Sequence, residues 1–306
     1  MTTNLSHDSV FIEDEALRDG LQMEARIFSL DEKLYIFELL KEAGVRRVQV
    51  GSFVHPKIVP QMADTDAFIN AIPEADRQMI SALILNEKGL ERALSGGVGH
   101  LSMSVSVSDT HSRKNARRPA AEALDAMTGL IRTALSEGIA VRAGLQCVFG
   151  CVYEGPISGD AVLKATEKMV HAGAWEINLA DTTGMANPMD IRVMVQKVHG
   201  AFPDVRISLH LHDTRGLALA NMFAGYEAGV RSFDTCAGGL GGCPFVKGAA
   251  GNIPTEDAVH MFEGMGIATG IAIETVCEAV AFLENKLDRQ LPGRMKRVLN
   301  HRSSCE

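Results

Sequence analysis

Short β-branched, apolar runs alternate with longer amphipathic segments along most of the 306-residue chain, and this alternation limits the possible folds more than any other feature. Such runs, bounded by glycine, proline or polar residues, are typical of buried strands. The predicted strands are Val10–Glu15, Arg47–Gly51, Met79–Leu85, Leu101–Val107, Val141–Cys147, Glu176–Leu179, Arg206–His210 and Arg231–Thr235. A helix-like segment follows each strand, as in α/β folds with parallel sheets.

The first helix-like segment carries a clear start signal. Apolar residues recur every three positions from Leu34 to Ala43, which is the spacing of one helix face. Ser29 precedes this segment and Glu32 follows three residues later, so the pair predicts a capping box. Most of the other helix-like segments end in glycine, the usual residue just past a helix C-terminus.

Eight strand–helix units predict a (β/α)8 TIM barrel of the α/β class. We expect a single domain over residues 1–306, with the barrel at about residues 10–268 and a helical extension at about 270–306. An amphipathic helix near Ile271–Gln290 should pack on the barrel or on a partner subunit. A doubly wound open sheet is the alternative, and the absence of a GxGxxG motif after the first strand disfavours it.

Composition excludes several classes of protein. The formal net charge of −8 argues against nucleic acid and anionic membrane surfaces as partners. No apolar run approaches the roughly 18 residues that span a bilayer. The N-terminus resembles neither a signal peptide nor a transit peptide, so we expect a cytoplasmic protein. Six cysteines are too few for a disulfide scaffold, and most of them are expected to be free thiols.

Polar residues that could bind a metal follow three of the predicted strands. Asp19 follows the first strand, His210 and His212 lie at the end of the seventh, and Asn252 follows the eighth. In a barrel these strand ends meet at one face, and side chains two apart on a strand point to the same side. Two imidazoles, a carboxylate and an amide suit Mg²⁺ or Mn²⁺, with Co²⁺ or Zn²⁺ as alternatives.

Two further features lie at the same predicted face. Arg18 offers a permanent positive charge that could stabilise an enolate, although a salt bridge to Asp14 or Glu15 at the barrel rim is the alternative. The glycine-rich stretch Gly238–Asn252 could cradle a phosphate through its amides. It could equally form a mobile lid with Cys243 as its reactive residue.

The motifs resemble a known family. The stretches "RDGLQ", "SFVHPKIVPQMAD", "YEGPIS", "LADTTG", "HLHDTRGLALAN" and "GLGGCPFVKGAAGNIPTED" are similar to those of the 3-hydroxy-3-methylglutaryl-CoA lyases, from about Phe11 to Gly270. This resemblance implies a retro-Claisen cleavage of a 3-hydroxyacyl-CoA to acetyl-CoA and a keto acid. It also implies an acyl-CoA partner, a divalent metal and a homodimer.

The resemblance implies roles for individual residues. The implied metal ligands are Asp19, His210, His212 and Asn252, and the implied catalytic residues are Arg18 for the enolate, Cys243 and His210 for proton transfer, and Asp181 and Glu256 near the site. We expect the substrate to contact Gln22, Gln49 and His55.

The chain also departs from the family pattern. The glutamate that family members commonly have after the second strand is Gln49, and a family serine is His55. These differences indicate a substrate that is bulkier or differently charged than 3-hydroxy-3-methylglutaryl-CoA. The alternatives are a Claisen-condensing synthase, which joins acetyl-CoA to a 2-oxo acid, and a metal-binding barrel without catalysis. The short segment after Gly270 disfavours a regulated synthase.

Overall fold

In the computed structural model, which describes residues 9–242 and 250–302, eight parallel strands form a closed barrel. The strands are β1 (Phe11–Asp14), β2 (Arg47–Ser52), β3 (Ile80–Ile84), β4 (His100–Ser106), β5 (Val141–Gln146), β6 (Glu176–Asp181), β7 (Arg206–Leu211) and β8 (Ser232–Thr235). Each strand pairs with its neighbours in sequence, and β8 pairs with β1. The predicted (β/α)8 fold is confirmed, and the open sheet is excluded.

Helices separate the strands and cover the outside of the barrel. They are α1 (Leu30–Glu42), α2 (Thr65–Ala71), α3 (Glu87–Gly96), α4 (Asp109–Asn115), α5 (Ala120–Ser136), α6 (Gly159–His171), α7 (Pro188–Ala201), α8 (Ala218–Glu227), α9 (Thr255–Gly264), α10 (Ile273–Leu287) and α11 (Met295–Arg302). The capping box at the start of α1 is formed as predicted: the Glu32 amide donates to Ser29 Oγ at 3.3 Å, and the Ser29 amide donates to the Glu32 side chain at 3.0 Å.

Three strands end later than the sequence predicts, and the first of them, β2, ends one residue later, at Ser52. β6 continues to Asp181 and β7 to Leu211, both paired in register with each other. Asp181 therefore ends a strand instead of beginning a loop, and His210 is held inside the sheet. This extension fixes the backbone of His210 through ladder hydrogen bonds, which is a more rigid support than a loop gives.

The C-terminal helix α10 packs on the barrel. The Ala272 amide donates to the carbonyl of Ala43 at 2.8 Å, and the Tyr35 and Phe282 rings lie 4.8 Å apart. Lys286 forms an ion pair with Glu32 at 3.0 Å. Of the two sequence-based alternatives for this helix, packing on the barrel is the one observed. Among the described helices, none combines the length and the apolar character needed to cross a membrane.

Candidate active site

A single π-helical turn directly follows β1 and carries two charged side chains to the C-terminal end of the barrel. The turn spans Ala16–Gly20, and the carbonyl of Glu15 accepts hydrogen bonds from the amides of Arg18 at 3.0 Å and Gly20 at 3.2 Å. π-helical turns are rare and occur frequently at functional sites. This one places Arg18 and Asp19 where catalytic residues of barrel enzymes are found.

The end of β7 carries the two predicted imidazoles. His210 lies within the strand, and His212 follows its last residue. Their Nε2 atoms are 3.0 Å apart, and Asp19 Oδ2 lies 3.8 Å from His212 Nε2. One ligand atom from each of Asp19, His210 and His212 lies within 4.8 Å of the others. We call these three residues with Asn252 the ligand cluster.

Asn252 joins the ligand cluster from the segment after β8. Its backbone pairs with His212, and its Nδ2 atom donates to Asp19 Oδ2 at 2.7 Å and to the carbonyl of Leu240 at 3.1 Å. Within residues 9–242 and 250–302, the buried Asn252 Oδ1 and His212 Nδ1 atoms have no hydrogen-bond partner. Leaving a buried polar atom unpaired costs about 1–3 kcal/mol. A divalent cation bound by oxygen and imidazole ligands fits this donor set, including the unpaired amide oxygen.

Arg18 is held by three neighbours. Its Nε atom donates to the Gln49 side-chain oxygen, and its terminal nitrogens donate to the carboxylates of Asp19 and Glu15. Arg18 therefore forms the rim salt bridge to Glu15 and also lies beside the ligand cluster, whereas Asp14 binds backbone amides instead. Burial lowers the pKa of Arg18, but the two carboxylates outweigh burial and raise the pKa. The guanidinium therefore stays charged.

Inside the barrel, next to His210, lies a buried charged network that was not predicted from the sequence. Asp234 lies 3.2 Å from His210 Nδ1 and accepts a hydrogen bond from Asn178 at 3.0 Å. Arg142 donates to Asp234 at 2.5 Å and to Glu15 at 2.9 Å. Arg142 and Asp234 are charged residues inside predicted strands, in the runs VRAGLQC and RSFDT. This was the available signal, because buried charges are retained only with partners.

The two imidazoles differ in their protonation. Burial lowers the pKa of His210, but the hydrogen bond to Asp234 and the charges of Glu15 and Asp19 outweigh burial and raise the pKa. Burial and the neighbouring His210 lower the pKa of His212 to about 4. A neutral imidazole is the form that binds a metal, and the His212 imidazole is in this form at neutral pH.

The carboxylate of Asp19 is also in the form that binds a cation. Burial raises its pKa, but the positive charge of Arg18 and the two imidazoles outweigh burial and hold the pKa well below the ordinary range. Asp19 therefore stays ionised even under acidic conditions.

Asp181 and Glu256 are buried, but their hydrogen bonds go to backbone amides. The Asp181 carboxylate accepts from the amides of Met185 at 2.8 Å and Ala186 at 3.0 Å, and burial raises its pKa to about 6. Glu256 Oε2 accepts from the amide of Gly238 at 3.0 Å, and burial raises the pKa of Glu256 to about 8. The structure does not bring these two carboxyl groups into the ligand cluster; they support the segments after β6 and β8.

The other predicted site residues occupy different surroundings. Gln49 is fully buried beside Arg18, and Gln22 is half-buried after the π-helical turn. His55 is exposed, and its Nδ1 atom accepts from the amide of Lys57 at 3.2 Å. Cys243 lies outside the described residues. Of the three predicted substrate-binding residues, Gln49 is the one that the structure places against Arg18.

The glycines before Cys243 approach the ligand cluster closely. Gly241 has a φ of +111°, and a Cβ atom on it would lie 2.6 Å from Asn252 Nδ2 and 3.2 Å from Asp19 Oδ2. A larger residue would therefore press on two proposed ligands. The Gly238 amide donates to Glu256, and the Gly239 amide donates to the carbonyl of Cys236 at 2.8 Å. These two amides are not free to cradle a phosphate.

Relatives of known activity match nearly the whole chain. The HMGL-like family model matches residues 9–283. A hydroxymethylglutaryl-CoA lyase from Bacillus subtilis is 37% identical over 289 residues, which cover 94% of this chain and 97% of the relative. An (R)-citramalyl-CoA lyase from Chloroflexus aurantiacus is 38% identical over 296 residues, covering 94% and 93%. These matches confirm the resemblance derived from the sequence motifs.

Solved structures of the same kind superimpose closely. The HMG-CoA lyase of Bacillus subtilis aligns with a TM-score of 0.91 and 36% identity, covering 96% of this chain and 98% of that one. An HMG-CoA lyase from Acinetobacter baumannii in complex with coenzyme A and 3-methylmalate aligns with a TM-score of 0.89 and 35% identity, covering 97% and 96%.

Proposed function

Because the chain belongs to the HMGL-like family of carbon–carbon lyases, we propose that it cleaves the C2–C3 bond of a 3-hydroxyacyl-CoA with the help of a divalent metal ion. The products are acetyl-CoA and a keto acid. The observation that carries the proposal is the convergence of Arg18 and the ligand cluster at one end of the barrel.

The ligand cluster is the proposed metal site. Asp19, His210, His212 and Asn252 would hold the ion, and Mg²⁺ or Mn²⁺ suits this mainly oxygen and imidazole set. When bound, the ion lowers the pKa of a coordinated substrate hydroxyl and orients the bond to be broken. The unpaired Asn252 Oδ1 atom supports the fit, because a cation would satisfy it.

Proton transfer is assigned to His210. Cleavage requires the 3-hydroxyl proton to leave as the C2–C3 electron pair moves into a thioester enolate, and a proton must then reach C2. The Asp234 carboxylate, 3.2 Å from Nδ1, orients the His210 ring and favours its protonated form. Because Nε2 cannot bind a cation and a proton at once, His210 could hold the ion only while Nε2 is unprotonated, and Mn²⁺ binding to a His210→Ala variant, which offers no replacement ligand, separates the two assignments. Retained binding with lost turnover supports the proton carrier, whereas lost binding supports the ligand.

Arg18 is assigned to the enolate. Its guanidinium is charged and fixed by Glu15 and Gln49, so it requires no reorganisation when negative charge develops on the thioester oxygen. Cys243 remains the proposed acid for the C2 carbon, as implied by the family resemblance.

The proposal also concerns which acyl group the substrate carries. The two relatives described above, at 37% and 38% identity, are named for different thioesters, so similarity alone does not choose between them. We propose a tertiary 3-hydroxyacyl-CoA, of which both 3-hydroxy-3-methylglutaryl-CoA and citramalyl-CoA are examples. The cytoplasmic location and the homodimer stay predictions.

Mass spectrometry of the products tests the proposal. The purified protein, supplied with Mn²⁺, is incubated with a panel of 3-hydroxyacyl-CoA thioesters that includes these two compounds. We expect acetyl-CoA and one matching keto acid at a kcat on the order of 1–100 s⁻¹. In parallel, acetyl-CoA is incubated with 2-oxo acids, and free thiol is measured. Thiol release without cleavage of any thioester in the panel would assign the chain to the condensing synthases instead.

A further inference from the structure

Glu15 occupies a central position between the groups that the proposed function uses. It is the first residue after β1, its amide donates to the carbonyl of Thr235 at 2.7 Å, and its side chain is only 1% exposed. We propose that Glu15 is a positioning residue that fixes Arg18 and His210, and that it supplies the negative charge which Gln49 does not carry. This inference rests on the proposed function of the site.

The two oxygens of Glu15 contact different parts of the site. Oε2 accepts a hydrogen bond from the terminal nitrogen of Arg18 and lies 3.6 Å from His210 Nδ1. Oε1 accepts from Arg142 at 2.9 Å and from Gln49 at 3.1 Å. Oε2 therefore faces the residues assigned to the enolate and to proton transfer, while Oε1 anchors the carboxylate to the barrel interior.

The amide of Gln49 is matched to this carboxylate. Its oxygen accepts from Arg18 Nε, and its nitrogen donates to Glu15 Oε1 at 3.1 Å. A glutamate at position 49 could accept from Arg18 but has no hydrogen to donate to Glu15 when ionised. Two ionised carboxylates at that distance would repel each other strongly. Gln49 on β2 is therefore suited to Glu15, because its neutral amide donates a hydrogen bond to the Glu15 carboxylate without adding a second negative charge.

This arrangement gives Arg18 its orientation. The guanidinium has carboxylates on its terminal nitrogens and an amide oxygen on Nε, so three of its five N–H donors fix its orientation and two remain for the enolate. Without the Glu15 charge, Asp19 would be the one carboxylate left on Arg18 within residues 9–242 and 250–302, and Arg18 would compete for it with any bound cation. Glu15 thereby leaves Asp19 available to the ligand cluster.

Exchanging the two residues tests the inference. In Glu15→Gln we expect kcat to fall by ~10- to 100-fold with KM changed by less than about threefold, because partners that orient catalytic groups have effects of that size. In the double variant Glu15→Gln/Gln49→Glu the carboxylate is moved to β2 and still meets Arg18, so kcat should recover to within about tenfold of the wild type.

Glu13 provides the matched control. It lies two residues earlier on the same strand, is equally buried, pairs with Arg142 at 3.2 Å and accepts a hydrogen bond from Ser81. Because no described hydrogen bond or ion pair joins Glu13 directly to Arg18 or His210, and Arg142 keeps Glu15 and Asp234 as partners, Glu13→Gln should change kcat by less than about threefold in protein that remains folded. Wild-type kcat in Glu15→Gln, an equal loss in Glu13→Gln, or a double variant no better than Glu15→Gln would each overturn the inference.

Thermal unfolding separates this inference from the proposed function. We expect Gln49→Glu alone to lower the Tm by ~2–6 °C, because it places two carboxylates side by side, and the double variant to regain most of that loss. The double variant also keeps one buried charge and so remains informative if Glu15→Gln does not fold. If the wild type cleaves no thioester, the proposed function fails, whereas the Tm values still test whether Glu15 and Gln49 form the matched pair; additive Tm changes would reject it.

Discussion

The side chain of Asn252 donates to the Asp19 carboxylate at 2.7 Å, although 233 residues separate them along the chain. This hydrogen bond uses the amide nitrogen and leaves the amide oxygen unpaired within the described part of the chain. The two residues are therefore already oriented as neighbours in the ligand cluster, with a carboxylate and an amide oxygen available to a cation.

Removing either partner should weaken metal binding. We expect Asp19→Asn to reduce the affinity for Mn²⁺ by at least ~100-fold, because it removes the anionic ligand, and Asn252→Ala to reduce it by ~10- to 100-fold. Titration calorimetry with Mn²⁺ on chelator-treated protein measures both. Chelation should also abolish lyase activity, and Mn²⁺ or Mg²⁺ should restore it.

Asp213→Asn is the control for this experiment. Asp213 directly follows His212, but its carboxylate accepts from the amide of Ala218 at the start of α8. Its Mn²⁺ affinity should therefore stay within about threefold of the wild type. Full turnover after exhaustive chelation, or equal Mn²⁺ affinity in Asp19→Asn and the wild type, would refute the metal assignment.

A methyl group at Gly241 should disturb the same cluster sterically. In Gly241→Ala the new Cβ would lie 2.6 Å from Asn252 Nδ2, so we expect both Mn²⁺ affinity and kcat to fall by about tenfold or more. Gly229→Ala is matched for backbone strain, because Gly229 has a φ of +103° but its new Cβ would meet no atom of the described chain within 4 Å. Similar losses in the two variants would show that strain, and not crowding of the ligands, is responsible.

Replacing Arg18 by lysine should lower turnover while leaving the thioester bound. Lysine keeps the positive charge but lacks the planar guanidinium, which forms hydrogen bonds to Glu15, Asp19 and Gln49. We therefore expect kcat to fall by ~10²- to 10³-fold with a small change in KM. Steady-state kinetics measures both constants. In Arg92→Lys, which alters an arginine paired with Asp66 outside the barrel, kcat should be unchanged. An equal fall in kcat and KM for Arg18→Lys would argue against a role in the transition state.

The buried carboxyl group of Glu256 should make stability depend on pH. Burial raises its pKa to about 8 from an ordinary value of 4.5. The folded state therefore keeps a proton that the unfolded state has released, so the stabilisation is complete below about pH 4.5 and is lost as pH rises through about 8. The effect on the free energy of unfolding is on the order of a few kcal/mol.

A neutral variant measures this contribution directly. Glu256→Gln cannot ionise, so its Tm relative to the wild type should rise between pH 6 and pH 9, as followed by calorimetry. The same difference at both pH values would mean that Glu256 ionises normally in the folded protein. Asp14, whose pKa burial raises to about 6, shifts stability in the same direction but at lower pH, and it is unchanged between the two proteins.

The barrel could be predicted because strand and helix signals are local. Ser29 and Glu32 form their capping box within four residues, and the strand runs end at turn signals beside them. The convergence of Asp19, His210, His212 and Asn252 could be predicted for a related reason: in a barrel the strand ends share one face, so the position of a residue at a strand end predicts where its side chain lies. Their role as metal ligands stays a prediction.

The charged network inside the barrel could not be predicted in the same way. Arg142 pairs with Glu15 across 127 residues and with Asp234 across 92. Nothing in the sequence near any of the three specifies which opposite charge it will meet, because that depends on barrel stagger and side-chain direction. The exposed position of His55 and the backbone contacts of Asp181 likewise depend on how individual loops pack.

Closure of the barrel by β1 and β8 has a consequence for the order of events during synthesis. Asp19 emerges from the ribosome long before Asn252, and the pairing of Phe11 with Ser232 joins the first strand to the last. Proteins are made from the N-terminus, and contacts between distant segments form late. The nascent chain therefore cannot assemble its full set of ligands until the last strand has docked, and the capacity to bind a cation would appear together with completion of the barrel.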